Sequence, residues 1–147
     1  MNSTSKTETG GLTILMMGCG ELGVSVATLL SELGHGIFIM DSSSEALGKL
    51  PGGKVEDGHI TPLLTTTSFQ NDLLHQSIPE PDIFIAITES DTQNALFAQL
   101  AQKVLRPERV ICRIENTALQ EMYLQSGIIA ISGKNILTKM IVDSVDA

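Results

Sequence analysis

Short apolar runs alternate with amphipathic segments along almost the whole chain. Leu12-Thr13-Ile14-Leu15-Met16-Met17 is nearly uniformly apolar, as a parallel strand covered on both faces should be. Leu22, Val26, Leu29, Leu30 and Leu33 then recur at helical spacing, and Gly34 ends the helix. Gly36 to Met40 reads as a second strand closed by Asp41. Residues 42–50 hold one helical turn, with Ser42 or Ser43 as N-cap ahead of Glu45. Pro51-Gly52-Gly53 breaks it, and 54–59 is a polar connector. A poorer third strand covers 60–66, and a short helix with Leu73 and Leu74 covers 69–76.

The second half repeats the alternation. Asp82 to Thr88 is a strand, and Ser90-x-x-Gln93 is a capping box that opens a helix ended by Pro107. Glu89 and Asp91 complement that helix's dipole rather than forming an acid/base pair. Arg109 to Ile114 is strand five, Asn116 caps the next helix, and Ile128 to Ile131 is strand six. A closing helix over 135–145 is expected to turn Ile136, Leu137, Met140 and Ile141 to the core. Six strands alternating with helices predict an α/β fold, a Rossmann-like doubly wound parallel sheet of order 3-2-1-4-5-6. Residues 1–11, rich in Ser, Thr and Gly, are expected as a disordered tail, and 12–147 as one nucleotide-binding domain.

Candidate chemistry sits at the first turn. Gly18-Cys19-Gly20-Glu21-Leu22-Gly23 fits G-x-G-x-x-G, with a strand before it, a helix after it and an acid, Asp41, following the second strand. Gly18 permits the tight turn, Gly20 lets backbone approach a pyrophosphate, and Gly23 lets helix lie against strand. The free N–H groups at the helix start face phosphates, and Asp41 accepts from an adenosine ribose. Where strand order reverses, Thr88 joins the same crevice.

Composition narrows the classes. The chain of 147 residues carries four Phe, one Tyr and no Trp, so its core is aliphatic. A net charge of −8 argues against nucleic acid and anionic membrane as partners, but not against a nucleotide held by backbone N–H groups. Two cysteines, Cys19 and Cys112, suggest neither a disulfide framework nor a metal site, and Cys19 is expected as a small turn residue rather than a redox group. His35, His59 and His75 lack metal-site spacing. No G-x-S-x-G elbow or Tyr-x-x-x-Lys pair occurs, so no catalytic set is expected. No run has the length of a membrane span and no signal peptide is visible, which points to the cytoplasm.

The residues just described resemble a known family. The glycine turn, Leu29-Leu30-Leu33-Gly34-His35 and Asp41 are similar to the start of the RCK or Trk-type (TrkA-N, KTN) domain that regulates potassium transport. Asp82-Ile83-Phe84-Ile85-Ala86-Ile87-Thr88-Glu89-Ser90-Asp91-Thr92-Gln93-Asn94 resembles that family's ADxxIAxTxxDexN stretch. Arg109 to Ile114 resembles its xVIARV, and Tyr123 to Ile128 its later y-x-x-l-G-a. The resemblance covers roughly 12–145. It implies a cytosolic regulatory domain, not an enzyme, that binds NAD(H) or, as alternatives, ATP, ADP or AMP. It also implies a homodimer or larger ring, and a membrane cation transporter or channel as partner, so that the chain lies against the inner membrane.

By positional match, Gly18, Cys19, Gly20, Glu21, Leu22 and Gly23 meet the phosphates. Asp41 would hold the ribose, Ala86 and Thr88 would line the adenine side, Arg113 would face a phosphate or the dimer partner, and Ser42, Thr66 and Ile87 are expected in the same cofactor site. Three departures stand out. Thr65-Thr66-Thr67-Ser68 lacks the family's acid, the connector at 51–59 is longer than usual, and Glu21 replaces the Arg of some ATP-binding members. Two other functions compete: a small NAD-dependent oxidoreductase or its cofactor domain, and a degenerate fold kept for dimerisation. For the dimer, the helices at 90–105 and 116–125 are expected to offer Phe97, Leu100, Leu119, Met122 and Tyr123.

Overall fold

The computed structural model describes residues 10–66, 68–69, 71–72 and 78–147. Six strands form one parallel sheet: β1 (Thr13–Met17), β2 (Gly36–Asp41), β3 (Ile60–Leu64), β4 (Ile83–Ala86), β5 (Arg109–Arg113) and β6 (Ile129–Ile131). Their order is β3-β2-β1-β4-β5-β6, the doubly wound arrangement that the alternation predicts. Met17 lies in register with Met40 on one side and Ala86 on the other, so β1 is central and its C-terminal end meets the reversal of strand order.

Period-two alternation divides the core into two layers. Leu15, Met17, Met40, Phe84, Ala86, Val110, Cys112 and Ala130 point to the layer under α4 (Asp91–Leu100) and α5 (Thr117–Gln125). Ile14, Met16, Ile37, Ile39, Ile83 and Ile85 point to the layer under α1 (Glu21–Glu32) and α2 (Ser44–Leu47). Phe84, Ile14 and Met16 are essentially sealed from water. Side chains of this size contribute about 1.5–3 kcal/mol each on burial.

The helix starts follow their caps. Ser43 accepts from Ala46 N–H, Ser90 from Gln93, Asn116 from Leu119 and Ser132 from Asn135. The polar connector at 51–59 contains a short helix, α3 (Gly52–Glu56). Its first turn hangs from the Pro51 carbonyl, and Val55 packs on the α1-side core, which the Pro-Gly-Gly signal alone does not reveal. Beyond Leu100 the α4 chain widens into a π turn, Ala101–Leu105, closed by Arg106 N–H donating to the Ala101 carbonyl. Of the expected helix over 69–76, residues 69, 71 and 72 are helical, and the remainder lies outside the described residues, as does 1–9 of the expected tail.

Two amphipathic faces depart from expectation. In α1 the residues turned fully inward are Gly23, Ala27 and Ser31, while Leu29 and Leu33 are 61% and 74% exposed. Close approach of the helix to β2 and β3 through small residues sets this roll. The last helix, α6 (Gly133–Asp146), starts two residues before the expected 135, and none of its residues is buried. Ile136, Leu137, Met140 and Ile141, expected on the core, are all more than half exposed, because α6 leaves the sheet instead of folding back over it.

Candidate functional site

The glycine turn links β1 to α1 across the carboxyl edge of the sheet. Gly18 adopts φ +113, and a Cβ there would lie 2.9 Å from the Ile87 carbonyl carbon and the Thr88 nitrogen. Only glycine satisfies both the conformation and the contact. Gly18 N–H donates to the Met40 carbonyl at 2.9 Å, tying the turn to β2. A Cβ at Gly23 would run into the Gly18 carbonyl oxygen, so α1 starts in direct contact with the turn. At Gly20 nothing lies within 4 Å of the same position. The backbone there is open, as an approaching phosphate requires.

Asp41 fastens the other wall. Its Oδ2 accepts from Cys19 N–H and its Oδ1 from Ser43 N–H, both at 2.8 Å. Each carboxylate oxygen keeps a second lone pair for a ligand hydroxyl. Thr88 closes the opposite side through Asn94, which is fully buried. Asn94 Oδ1 accepts from Thr88 N–H and from the Thr88 hydroxyl, and its Nδ2 donates to the Thr88 and Arg113 carbonyls. One amide thus holds the ends of β4 and β5 in fixed relation.

Two cavities flank this centre. The first, of about 330 Å³, lies among Met17, Gly18, Asp41, Ser42, Thr65, Phe69, Thr88, Gln93 and Phe97. The Phe69 ring stands 4.9 Å from Phe97 and 5.7 Å from Phe84, giving this cavity an aromatic floor. The second, of about 530 Å³, runs past Gly18, Gly20, Glu21, Leu22, Asp41, Ile87, Thr88, Glu89 and Arg113. A base and its ribose suit the first cavity, and phosphates at the α1 N-terminus with a further group suit the second.

Of the expected site residues, Gly18, Gly20, Glu21, Leu22, Asp41, Ser42, Ile87, Thr88 and Arg113 come together around these cavities. Gly23 shapes the turn from behind. Ala86 is wholly enclosed in β4, and Thr66 is exposed one residue beyond Thr65, the one that lines the crevice. Cys19 faces a separate hollow with Ala46 and Lys49. Burial pushes its thiol up to about 11, and the Asp41 charge adds to the rise. Cys112 is pushed up to about 11 by burial and by Asp91. Both thiols are therefore protonated at neutral pH, the inert state of structural cysteines. His35 accepts Leu12 N–H at 3.0 Å through Nδ1, a turn role. Among the described residues, no cluster of three or more His, Cys, Asp and Glu has metal-binding geometry. Sequence patterning passed over Phe69 and Phe97 as site residues, since apolar residues at helical spacing read as core, and Gln93, which read as a capping partner. Asn94 stood within the ADxxIAxTxxDexN stretch.

The family model of the TrkA-N domain matches residues 14–133. The chain is 30% identical over 119 residues to the Trk system potassium uptake protein TrkA of Streptomyces coelicolor. That match covers 78% of this chain and 50% of the relative, so the chain spans half the length of that protein. The fold is similar to the TrkA-N domain of the inner membrane protein YbaL from Escherichia coli. The TM-score is 0.71 at 11% identity, over 90% of this chain and 96% of that one. It is also similar to the GsuK channel bound to NAD, with TM-score 0.62 at 12% identity over 85% of this chain and 22% of that one. A xanthine dehydrogenase from Bacillus halodurans shares the fold at TM-score 0.57 and 11% identity, over 83% of this chain and 35% of that one. No described helix is long and apolar enough to cross a membrane. With the glycine turn, Asp41 and the Thr88–Asn94 clamp on one sheet edge, and the family match spanning 120 residues (14–133), the chain belongs to the TrkA-N domain family.

Proposed function

We propose that this chain is a regulatory nucleotide sensor that binds NAD(H) in the crevice and acts on a separate membrane potassium transporter or channel. The observation that carries the proposal is the open backbone at Gly20 beside Asp41, at the N-terminus of α1 and at the reversal of strand order. The kinship with TrkA and the fold shared with an NAD-bound channel support the same assignment. The base stacks against Phe97 and Phe69, the ribose hydroxyls donate to Asp41, and the pyrophosphate receives N–H groups from the turn. Glu21, the first residue of α1, adds negative charge where a third phosphate would sit, so ADP and AMP rank above ATP as alternatives.

A thermal-shift series against NAD, NADH, ADP, AMP and ATP tests this. A ligand at a hundredfold excess over its Kd stabilises the folded state by about 2.7 kcal/mol. NAD or NADH should raise the midpoint most. Asp41→Asn should weaken binding by about tenfold to a hundredfold, the loss of charge-assisted hydrogen bonds worth about 1.5–3 kcal/mol. It should also lower stability slightly, since Asp41 holds two backbone N–H groups. If none of the five nucleotides shifts the midpoint, the nucleotide assignment falls.

A further inference from the structure

Arg113 stands where the crevice and the head of α6 draw on the same cation. Arg113 lines the larger cavity together with Glu21 and Glu89. Its Nε also donates to Glu115 Oε1 at 3.3 Å, with both side chains about two-thirds covered. Glu115 in turn holds the start of α6. Its Oε1 accepts from Gly133 N–H at 2.9 Å, and its Oε2 from Lys134 N–H at 3.0 Å and from the Ser132 hydroxyl at 3.2 Å. The backbone under both residues is clamped. Asn94 Nδ2 donates to the Arg113 carbonyl, and Asp91 accepts from Glu115 N–H and Asn116 N–H, each at 2.9 Å. Only the two side chains are left to move.

We propose that a phosphate in the crevice and Glu115 compete for Arg113, so that filling the crevice loosens the anchorage of α6. The coupling rests on the nucleotide assignment above. A phosphate is a stronger bidentate acceptor for a guanidinium than a carboxylate already engaged by three other donors. Glu115 keeps those donors when Arg113 turns away, so it is not left bare. The α6 cap nevertheless loses the cation that balances its carboxylate. Reciprocity follows from linkage: whatever weakens the Arg113–Glu115 pair strengthens ligand binding by the same factor. The helix so released buries none of its own residues, so it has no core packing to hold it when its cap loosens.

Calorimetry and hydrogen exchange on the full chain test the coupling. The Gly133 and Lys134 amides report directly, because both donate to Glu115. In the wild type, saturating NAD or NADH should speed their exchange several-fold, and in Arg113→Ala it should leave them unchanged. Glu115→Gln should tighten nucleotide binding about threefold to tenfold, the scale of one released charge-assisted hydrogen bond. A purely structural pair predicts the reverse pattern: weaker α6 protection with unchanged affinity. Nucleotide binding that leaves both amides unmoved, or a Glu115→Gln affinity equal to or below wild type, overturns the coupling while the nucleotide assignment stands. A wild type that binds no nucleotide by calorimetry defeats the assignment itself, and the coupling with it. The wild-type exchange arm decides the matter even where a variant fails to fold.

Discussion

Gly20 and Gly23 stand three residues apart and face opposite constraints. A side chain at Gly23 would meet the Gly18 carbonyl oxygen, which is fixed backbone. Gly23→Ala should therefore cost about 3 kcal/mol, the upper end of overpacking, and lower the melting temperature by many degrees. A side chain at Gly20 meets nothing. Gly20→Val should leave the midpoint within a few degrees of wild type and abolish nucleotide binding, because the methyls fill the space of the pyrophosphate. Denaturant melts and calorimetry on the two variants separate the roles. Wild-type affinity in Gly20→Val would remove the phosphates from this turn. Cys19, between Gly18 and Gly20, is sealed and protonated, so its presence in the turn follows from size rather than reactivity.

At the scale of elements, what was legible in the chain was what local patterning controls. The strands announce themselves because both faces are covered, so Thr13 to Met17 and Ile83 to Ala86 read as continuous apolar runs. The glycine turn and Asp41 were legible because the backbone geometry there admits few residue types. The roll of α1 was not legible. Leucines at helical spacing suggest a buried stripe, but Gly23, Ala27 and Ser31 allow a closer approach to the sheet and win the inner face. The outward path of α6 was hidden for the same reason: an amphipathic pattern names an apolar face but not what covers it. Glu115 was missed because its partners lie 17 to 19 residues onward, at Ser132, Gly133 and Lys134.

That cap makes the α6 anchorage pH-dependent. The Lys134 N–H is the largest influence holding the Glu115 carboxyl below its ordinary 4.5, with Gly133, Arg113 and Ser132 adding and burial opposing. A carboxylate whose folded pKa is depressed contributes stability above its unfolded value and loses it as pH falls through the folded value. The α6 head should therefore stay anchored at pH 5 and above, and loosen at a pH below 4.5. Amide shifts of Gly133 and Lys134 followed by NMR from pH 7 to 3 should show one step below 4.5, absent in Glu115→Gln. A step at or above 4.5 would mean that the carboxylate is not held by the helix.

Assembly is decided at the scale of the whole molecule. The helices first expected to form a dimer face commit Phe97, Leu100, Leu119 and Tyr123 to the sheet-side core, leaving Leu96, Met122 and Leu124 half exposed. The α6 face exposes more apolar residues than these helices do, and the edge strand β6 exposes two more. Ile136, Leu137, Met140, Ile141 and Val145 form one stripe along α6, with Met140 62% and Val145 79% exposed. Ile129 and Ile131 of the edge strand β6 open on the α1 side, while Ala130 between them is buried on the other. Contiguous apolar surface of this extent marks an interface. We predict that a second copy supplies the matching surface with two-fold symmetry, each α6 lying on the partner. We predict a homodimer, twice the 15.7 kDa of the chain, in light scattering at micromolar concentration. Met140→Glu places a charge in the stripe at a side chain that is itself 62% exposed and outside the core. It should shift the population to monomer while the melting temperature of the sheet domain falls by no more than the loss of assembly explains. If the wild type scatters as a monomer with and without nucleotide, the dimer is excluded, and a change in its geometry is no longer available to carry the ligand signal to a transporter.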